Sequence, residues 1–462
     1  MNLNEIVQNA LPHPVWYGDA PPVVRGAKLR GDAACDLAVI GGGLTGLWTA
    51  VEALRESPGR NVVVLEAGHV GVGASGRNGG FVSTSLTHGL GHGHSMWPEE
   101  MPELIRLGEQ NAADIDNFVR EEGIAADLRW CGKTLIATKA HEVTWIERLH
   151  QLHSHYGLAS ELLDREAIQG DVHSPTYLAG ISIPSGGLVD PMALTVGLAD
   201  AAVRRGARIF ENSAVDTLRR HGASVHLRTA QGKVCAAKVV VATNAFRPLL
   251  RRLRPFVLPV WDHVLATEPL TQSQLDSIGW KRNQGLTDAG NQFHYYRRTA
   301  DDRILWGGYD AIYYFRGRTE SSLALRDASH ELLARHFYRA FPQLHDVRMS
   351  HRWAGVIDTT SRFTPMFGTA MKDQVAYAVG YTGLGVASSR FGARVALDLL
   401  DGRHTERTCL GMVKRKPIPF PPEPIKWPAV QVTRAALARQ DLTGRRGMWL
   451  STLDRFGIGF DS

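Results

Sequence analysis

The 462-residue chain has room for two or three domains. With 44% hydrophobic and 21% charged residues it matches ordinary globular proteins, and no apolar stretch approaches the length of a membrane span. The net charge of +6 permits an acidic partner. The basic excess is dispersed, however, with short clusters only at Arg251-Arg252, Lys414-Arg415-Lys416 and Arg445-Arg446. That pattern is expected of solvated surface, so no nucleic-acid partner is expected.

Met1-Asn2-Leu3-Asn4-Glu5 shows no basic stretch followed by an apolar one, so no signal segment is expected. Cys35, Cys131, Cys235 and Cys409 lie far apart without metal-like spacing. They read as reduced thiols of a cytoplasmic protein. Residues 1–34 form a leader, irregular over its proline- and glycine-rich part, 11–34.

The apolar run Leu37-Ala38-Val39-Ile40 leads into Gly41-Gly42-Gly43-Leu44-Thr45-Gly46. Twenty residues after Gly46, Glu66 closes a second apolar run, Val62–Leu65, and Ala67 follows. Strand, glycine turn, helix, strand and acid in this order make a dinucleotide-binding fingerprint. Gly41 permits the tight turn, Gly43 lets backbone approach a pyrophosphate, and Gly46 lets the helix pack on the strand. Leu44 and Thr45 open the helix, whose N-terminus offers N–H groups and positive dipole to phosphate. Glu66 suits the hydroxyls of a ribose and repels a 2′-phosphate.

Residues 67–95 are glycine-rich, and Ala74-Ser75-Gly76-Arg77-Asn78-Gly79-Gly80 stands out. A flexible surface loop is one reading. The other is close backbone contact with a buried, extended cofactor such as FAD, with Ser75 and Arg77 reaching its oxygens. His88, His92 and His94 are interleaved with glycines, too loose a frame for zinc, so no metal is expected.

Residues 99–123 read as a helix. Asp190-Pro191 starts another that runs to Gly206. Strands follow at about 207–211, 223–229 and 234–242, with a hairpin near Gln231-Gly232. A strand-rich block covers roughly 255–310, then a helix near 321–341. The apolar strand Val375–Val379 meets Gly380-Tyr381-Thr382-Gly383-Leu384-Gly385 and a helix through Leu400. After Gly411 comes a proline-rich arm ending in a basic helix near 430–440. Strand alternation in Phe293–Arg298 puts His294, Tyr296 and Arg298 on one face, and Val260-Trp261-Asp262-His263 is a second aromatic strand. Aromatic walls suit a cationic or apolar amine, and ordinary sheet core is the alternative.

The leader, the fingerprint, the Gly73–Gly80 segment and Val239-Val240-Val241-Ala242-Thr243-Asn244-Ala245 resemble the D-amino-acid-oxidase-type FAD oxidoreductases, closest in look to the γ-glutamylputrescine oxidase and glycine/sarcosine oxidase branch. The resemblance implies an α/β fold. A Rossmann-like FAD-binding domain of the glutathione-reductase type would carry an interleaved α+β substrate domain on a mostly antiparallel sheet. The FAD-binding domain would comprise 35–90, 185–250 and 351–411, the substrate domain 91–184 and 251–350, and the arm 412–462. Val215 would meet the adenine, Ala242 and Thr243 the pyrophosphate or ribose. Gly383, Leu384, Gly385 and Val386 would bring a helix N-terminus to the flavin, where positive dipole stabilises charge on the reduced ring.

The resemblance further implies oxidation of a C–N bond, with hydride passing to the flavin and the imine hydrolysing to a carbonyl product. Val356 and Asp358 in Arg352–Thr360 favour an amine lacking an α-carboxylate, oriented by Asp358 or by the aromatic wall of Trp261, His294 and Tyr296. An amino acid or hydroxy acid clamped by Arg297, Arg298 or Arg352 is an alternative. A flavoprotein acting on modified tRNA is another. The electron acceptor, oxygen or another, stays open: related oxidases use a lysine near the flavin, and between Val257 and Asp310 only Lys281 is available, in a predicted loop.

Overall fold

The computed structural model describes residues 3–18, 26–246 and 248–459; residues 1–2 and 19–25 of the expected leader lie outside it. The strands run in chain order β1 (Gly31–Ile40), β2 (Val62–Leu65), β3 (Phe81–Val82), β4 (Lys133–Ala137), β5 (Glu161–Leu163), β6 (Ala179–Ile183), β7 (Gly187–Leu188), β8 (Arg208–Phe210), β9 (Thr217–His221), β10 (Ser224–Arg228), β11 (Gly232–Val241), β12 (Leu258–Thr267), β13 (Gly285–Asp288), β14 (His294–Arg298), β15 (Ile304–Gly308), β16 (Met349–Thr359), β17 (Met366–Ala370) and β18 (Val375–Val379). Among the described residues they form two large sheets and the short pair β3–β7.

The first sheet has the order β17-β18-β11-β1-β2-β8, with the β9–β10 hairpin hung on β11. β1 pairs in parallel with β2 and β11. Its valine-rich strands are buried on both faces, as parallel strands under helices must be. One face carries the Leu44–Glu56 helix, buried from Leu44 to Leu54, and the Gly385–Leu400 helix. Glu52 on the first helix accepts from Arg390 at 2.8 Å and from Arg394 at 3.0 Å on the second. This buried ion pair clamps together two helices whose N-termini open on the same space.

The second sheet, β16-β12-β15-β14-β13-β4-β6-β5, is antiparallel except where β13 meets β4. Its halves come from distant stretches of chain, since β4–β6 and β12–β16 flank segments of the first sheet. The boundary expected at 351 falls inside β16, which pairs along β12 through Thr359. One face packs on the Asp327–Ala340 helix through Tyr296, Trp306, Phe337 and Phe341. The other face is open toward the first sheet.

The arm after Gly411 folds back across the molecule. Its helices span Lys426–Thr443 and Met448–Arg455. Glu423 accepts from Tyr313 at 2.6 Å, Arg434 donates to Asp310 at 2.7 Å, and Asp441 accepts from the backbone of Asn291 and Gln292 at 2.9 and 2.7 Å. No helix of the described residues is long and apolar enough to cross a membrane.

Candidate active site

A cavity of about 1510 Å³ runs between the sheets, and Phe420, Lys426, Val430 and Trp449 of the arm form part of its wall. At the first-sheet end the chain makes room with missing side chains. Gly41 has φ +114°, and a Cβ there would sit 2.4 Å from the Ala242 carbonyl oxygen. A Cβ on Gly43 would sit 2.7 Å from Ser75 Oγ, which accepts from the Leu44 N–H at 2.9 Å. Glu66 accepts from Gly42 N–H at 2.6 Å and Gly68 N–H at 2.8 Å. Burial raises its pKa, against the lowering effect of the backbone N–H groups of Gly68, Gly42 and Ala67.

The two helix N-termini meet beside this end. Neither Gly43 nor Leu384, the residues at their starts, caps its helix with a side chain. Asp358 accepts from Gly380 N–H at 2.5 Å and Tyr381 N–H at 3.2 Å, and Thr45 Oγ1 donates to the Tyr381 hydroxyl at 3.1 Å. The turn before the second helix is thereby tied to β16 and to the first helix. Asp358 borders the cavity, but its carboxylate is committed to that turn, and burial pushes its pKa up to about 7.

Of the expected cofactor contacts, Gly41, Gly43, Leu44, Thr45, Glu66, Ala67, Ala74, Ser75, Arg77, Asn78, Gly79, Val215, Ala242, Thr243, Gly383, Leu384, Gly385 and Val386 line the cavity. Gly46, Gly76 and Gly80 do not. They serve the frame: a Cβ would come within 1.9 Å of Gly41 O, 2.5 Å of Gly71 O and 2.1 Å of Val189 O respectively.

At the second-sheet end the pleat has the opposite phase to the one expected. His294 and Tyr296 point away from the cavity. His294 bonds Asp288 at 2.5 Å and His336 at 3.0 Å, and Tyr296 bonds the Tyr177 hydroxyl at 2.8 Å. Trp261 also faces away, its indole N–H donating to Arg318 O at 3.1 Å within the core under the first sheet. The cavity face carries their neighbours instead: Val260, Asp262 and Tyr295. Glycines decide the phase. A Cβ on Gly307 or Gly79 would lie 2.6 Å from the Tyr295 ring, so that ring lies flat across β15 only because both are glycine. The Tyr295 hydroxyl thereby reaches from β14 to Asp262 on β12, donating at 2.5 Å. Burial pushes the Asp262 carboxyl up to about 6, against the lowering effect of that hydroxyl. Phe81 packs edge-on to Tyr295, ring centroids 5.8 Å apart.

The expected arginine clamps are spent elsewhere and none borders the cavity. Arg297 donates to Val189 O at 2.7 Å, Arg298 to Asp302 at 2.5 Å and Arg352 to Asp327 at 2.5 Å. Lys281 is exposed on a turn. The cavity residues that escaped the sequence reading include Phe81 on β3, Lys133 on β4 and His153 on the Ala140–His155 helix. Burial holds His88 at about 3 and His92 at about 4. Among the described residues no cluster of three or more His, Cys, Asp or Glu is placed to hold a metal.

The family model described as FAD dependent oxidoreductase matches residues 36–399. The chain belongs to this family. The oxidoreductase is 32% identical over 380 residues to the γ-glutamylputrescine oxidoreductase of Escherichia coli, covering 81% of this chain and 85% of that one. It is 29% identical over 376 residues to the probable oxidoreductase OrdL of Haemophilus influenzae, covering 79% and 83%. Its fold matches glycine oxidase from Geobacillus kaustophilus with a TM-score of 0.67, at 21% identity, over 81% of this chain and 96% of that one. The cofactor of the oxidoreductase is FAD, and the first-sheet end fits it. Glycine backbone, a carboxylate at the end of β2 and two helix ends whose own N-cap residues, Gly43 and Leu384, supply no side-chain cap fit a long anionic dinucleotide. The family match stops at residue 399, so the arm that walls the cavity lies beyond it.

Proposed function

We propose that this oxidoreductase oxidises the C–N bond of an amine, whose nitrogen is received by Asp262 and Tyr295. The observation that carries the reading is that pair: a carboxylate in the cavity wall, bonded to a phenol and to the Gly308 backbone and, among the described residues, to no basic side chain. A cationic amine is the partner such a group lacks, and the Phe81 and Tyr295 rings beside it suit a cation. The kinship with γ-glutamylputrescine oxidoreductase supports an amine. So does the commitment of Arg297, Arg298 and Arg352 to other partners, which removes the expected clamp for an α-carboxylate.

Bound FAD supplies a hydride acceptor. The protein has three tasks around it. Asp262 draws in the ammonium and accepts its proton, and a carboxyl titrating near 6 is a better proton acceptor than an ordinary aspartate. Tyr295 holds that carboxylate in place, so the substrate C–H is presented in one orientation. Phe81, Val260 and the arm keep water from the reacting carbon. The freed lone pair then drives the hydride out, and the imine hydrolyses to a carbonyl compound and an amine. Glu66 and Val215 hold the adenosine end of FAD. Gly41, Gly43, Leu44 and Thr45 hold the pyrophosphate, with Ala242 and Thr243 beside it, and Gly383–Val386 meet the flavin. Asp358 is a positioning residue for that last turn. The four free cysteines support a cytoplasmic setting.

The test is the visible spectrum of the purified protein, followed anaerobically against amines, amino acids and hydroxy acids. Bleaching by amines is the expected result, and readmitting air then shows whether oxygen accepts the electrons. Bleaching by α-amino or α-hydroxy acids alone would overturn the reading.

A further inference from the structure

Exposed apolar side chains are concentrated in the arm. Among the described residues fifteen large hydrophobic residues are exposed, and eight of them lie between Ile418 and Phe456, less than a tenth of the chain. Trp427, Val432 and Leu442 belong to the Lys426–Thr443 helix, Met448 opens the Met448–Arg455 helix, and Phe456 follows it. Leu442 is 77% and Met448 89% exposed, so no part of the described chain covers them. A concentration of this kind marks an interaction surface, whereas single exposed apolar residues do not.

Helix geometry makes it one surface. Each helix turns a side to the cavity, the first through Val430, Thr433 and Leu437, the second through Trp449 and Leu453. Trp449 donates to Thr433 Oγ1 at 3.0 Å and Arg446 to Gln440 at 3.1 Å, so the two helices lie side by side. Their opposite sides therefore look outward together. On the first, the exposed residues Val432, Ala435, Arg439 and Leu442 recur at spacings of three and four, which places them on one stripe. On the second, Met448, Thr452 and Arg455 do the same.

The free charge on this surface has one sign. From Glu423 to Arg455 there are six basic residues and three acids. All three acids are engaged: Glu423 by Tyr313, Asp441 by Asn291 and Gln292, Asp454 by Arg446. Arg439, Arg445 and Arg455 are exposed and, among the described residues, their side chains make no hydrogen bond or ion pair. Large apolar groups and tryptophan set among unpaired arginines are the make-up of helices that lie in the headgroup layer of an anionic bilayer. A second copy of the chain would instead set those arginines against one another, and like charges facing across an interface oppose it.

We propose that the outward face of the arm docks peripherally on an anionic lipid bilayer. Leu442, Met448 and Phe456 enter the headgroup layer, and Arg439, Arg445 and Arg455 meet lipid phosphates. The same helices wall the cavity on their inner sides, so docking sets the cavity beside the membrane surface. The proposal does not rest on the amine reading.

Co-sedimentation of the full, FAD-loaded chain with vesicles tests this, one set of phosphatidylcholine alone and one of phosphatidylcholine mixed with phosphatidylglycerol. Binding to the mixed vesicles is expected to be at least tenfold tighter and to weaken as salt is raised. The double variant Leu442→Ser with Met448→Ser should weaken it at least fivefold, and so should Arg439→Gln with Arg445→Gln. Flavin content and unfolding temperature should stay as in the unaltered chain, since all four side chains point to solvent. Absence of sedimentation with the mixed vesicles overturns the proposal, as does equal binding to both sets. Binding that survives both double variants overturns it too, because another surface would then be responsible. Self-association that Leu442→Ser with Met448→Ser abolishes, without vesicle binding, would make the face a contact between copies and would equally overturn it.

Discussion

The first-sheet end of the cavity is walled by backbone, at Gly41, Gly43, Gly383 and Gly385, whereas the second-sheet end is walled by the side chains of Phe81, Lys133, Asp262 and Tyr295. The difference follows from what each end must hold. A dinucleotide is met by N–H groups and helix dipoles, which any sequence supplies once side chains are out of the way. A small substrate is distinguished by charges at particular places, and only side chains supply those. The first end is therefore intolerant of added atoms, and the second of removed ones.

Gly46→Val is the sharpest way to break the first end. The Gly46 Cβ would lie 1.9 Å from Gly41 O, backbone that cannot yield without opening the turn. We expect protein that purifies without flavin, read as the loss of visible absorbance relative to protein. Retention of full FAD would show that the turn is pliable.

At the second end a deletion suffices. Asp262→Asn keeps the size and removes the charge, and kcat/KM for the amine should fall about 100-fold or more while FAD stays bound. The pH profile carries the sign. The carboxylate must be ionised to accept the amine proton, so kcat/KM in the unaltered enzyme should rise with pH through about 6. In Tyr295→Phe the carboxylate loses a hydrogen bond that favours its charged form, so the rise should move to higher pH. A profile flat between pH 5 and 7 would remove Asp262 from the chemistry.

The Lys426–Thr443 helix of the arm is anchored at the second end. Asp441 is buried and accepts from Asn291 and Gln292, so Asp441→Ala leaves those donors unpaired at about 1–3 kcal/mol. Faster limited proteolysis between residues 412 and 459 and a higher KM should follow, with FAD content kept. A KM that does not move would confine the arm to packing.

The same contrast explains what the residues disclosed in advance. The βαβ unit, the Pro191–Arg204 helix and the Val375–Val379 strand with its following helix were legible, because each pattern is local: a cap, a glycine, a run of valines. The identity of the substrate face was not. Phe293–Arg298 alternates equally well in either phase, and the phase is set by Gly79 and Gly307, distant in sequence, which give the Tyr295 ring its place. Lys133 was hidden for a related reason. Its strand is completed by β13 from residues 285–288 and by β6, and β5 and β7 span three and two residues, too short for alternation to declare itself. A lysine there is unremarkable until the fold closes over it.

Tyr296→Phe gives the smallest effect and the cleanest comparison with its neighbour. The Tyr296 hydroxyl lies in the core behind the sheet, donating toward Asp288 at 3.2 Å and accepting from Tyr177 at 2.8 Å. Its removal leaves the Tyr177 hydroxyl short of an acceptor in a fully buried site, a cost of about 1–2 kcal/mol in stability. For a chain of this size that is a lowering of the unfolding temperature by a few degrees. The kinetic constants should not follow, since β14 still presents Tyr295 to the cavity in the same register. Tyr295→Phe should do the reverse: it weakens catalysis about 10-fold or more through Asp262, at the strength of one hydrogen bond to a charged group. If Tyr296→Phe were the kinetic variant and Tyr295→Phe only the unstable one, the pleat would run in the phase that alternation alone suggested, and Asp262 would lose its partner.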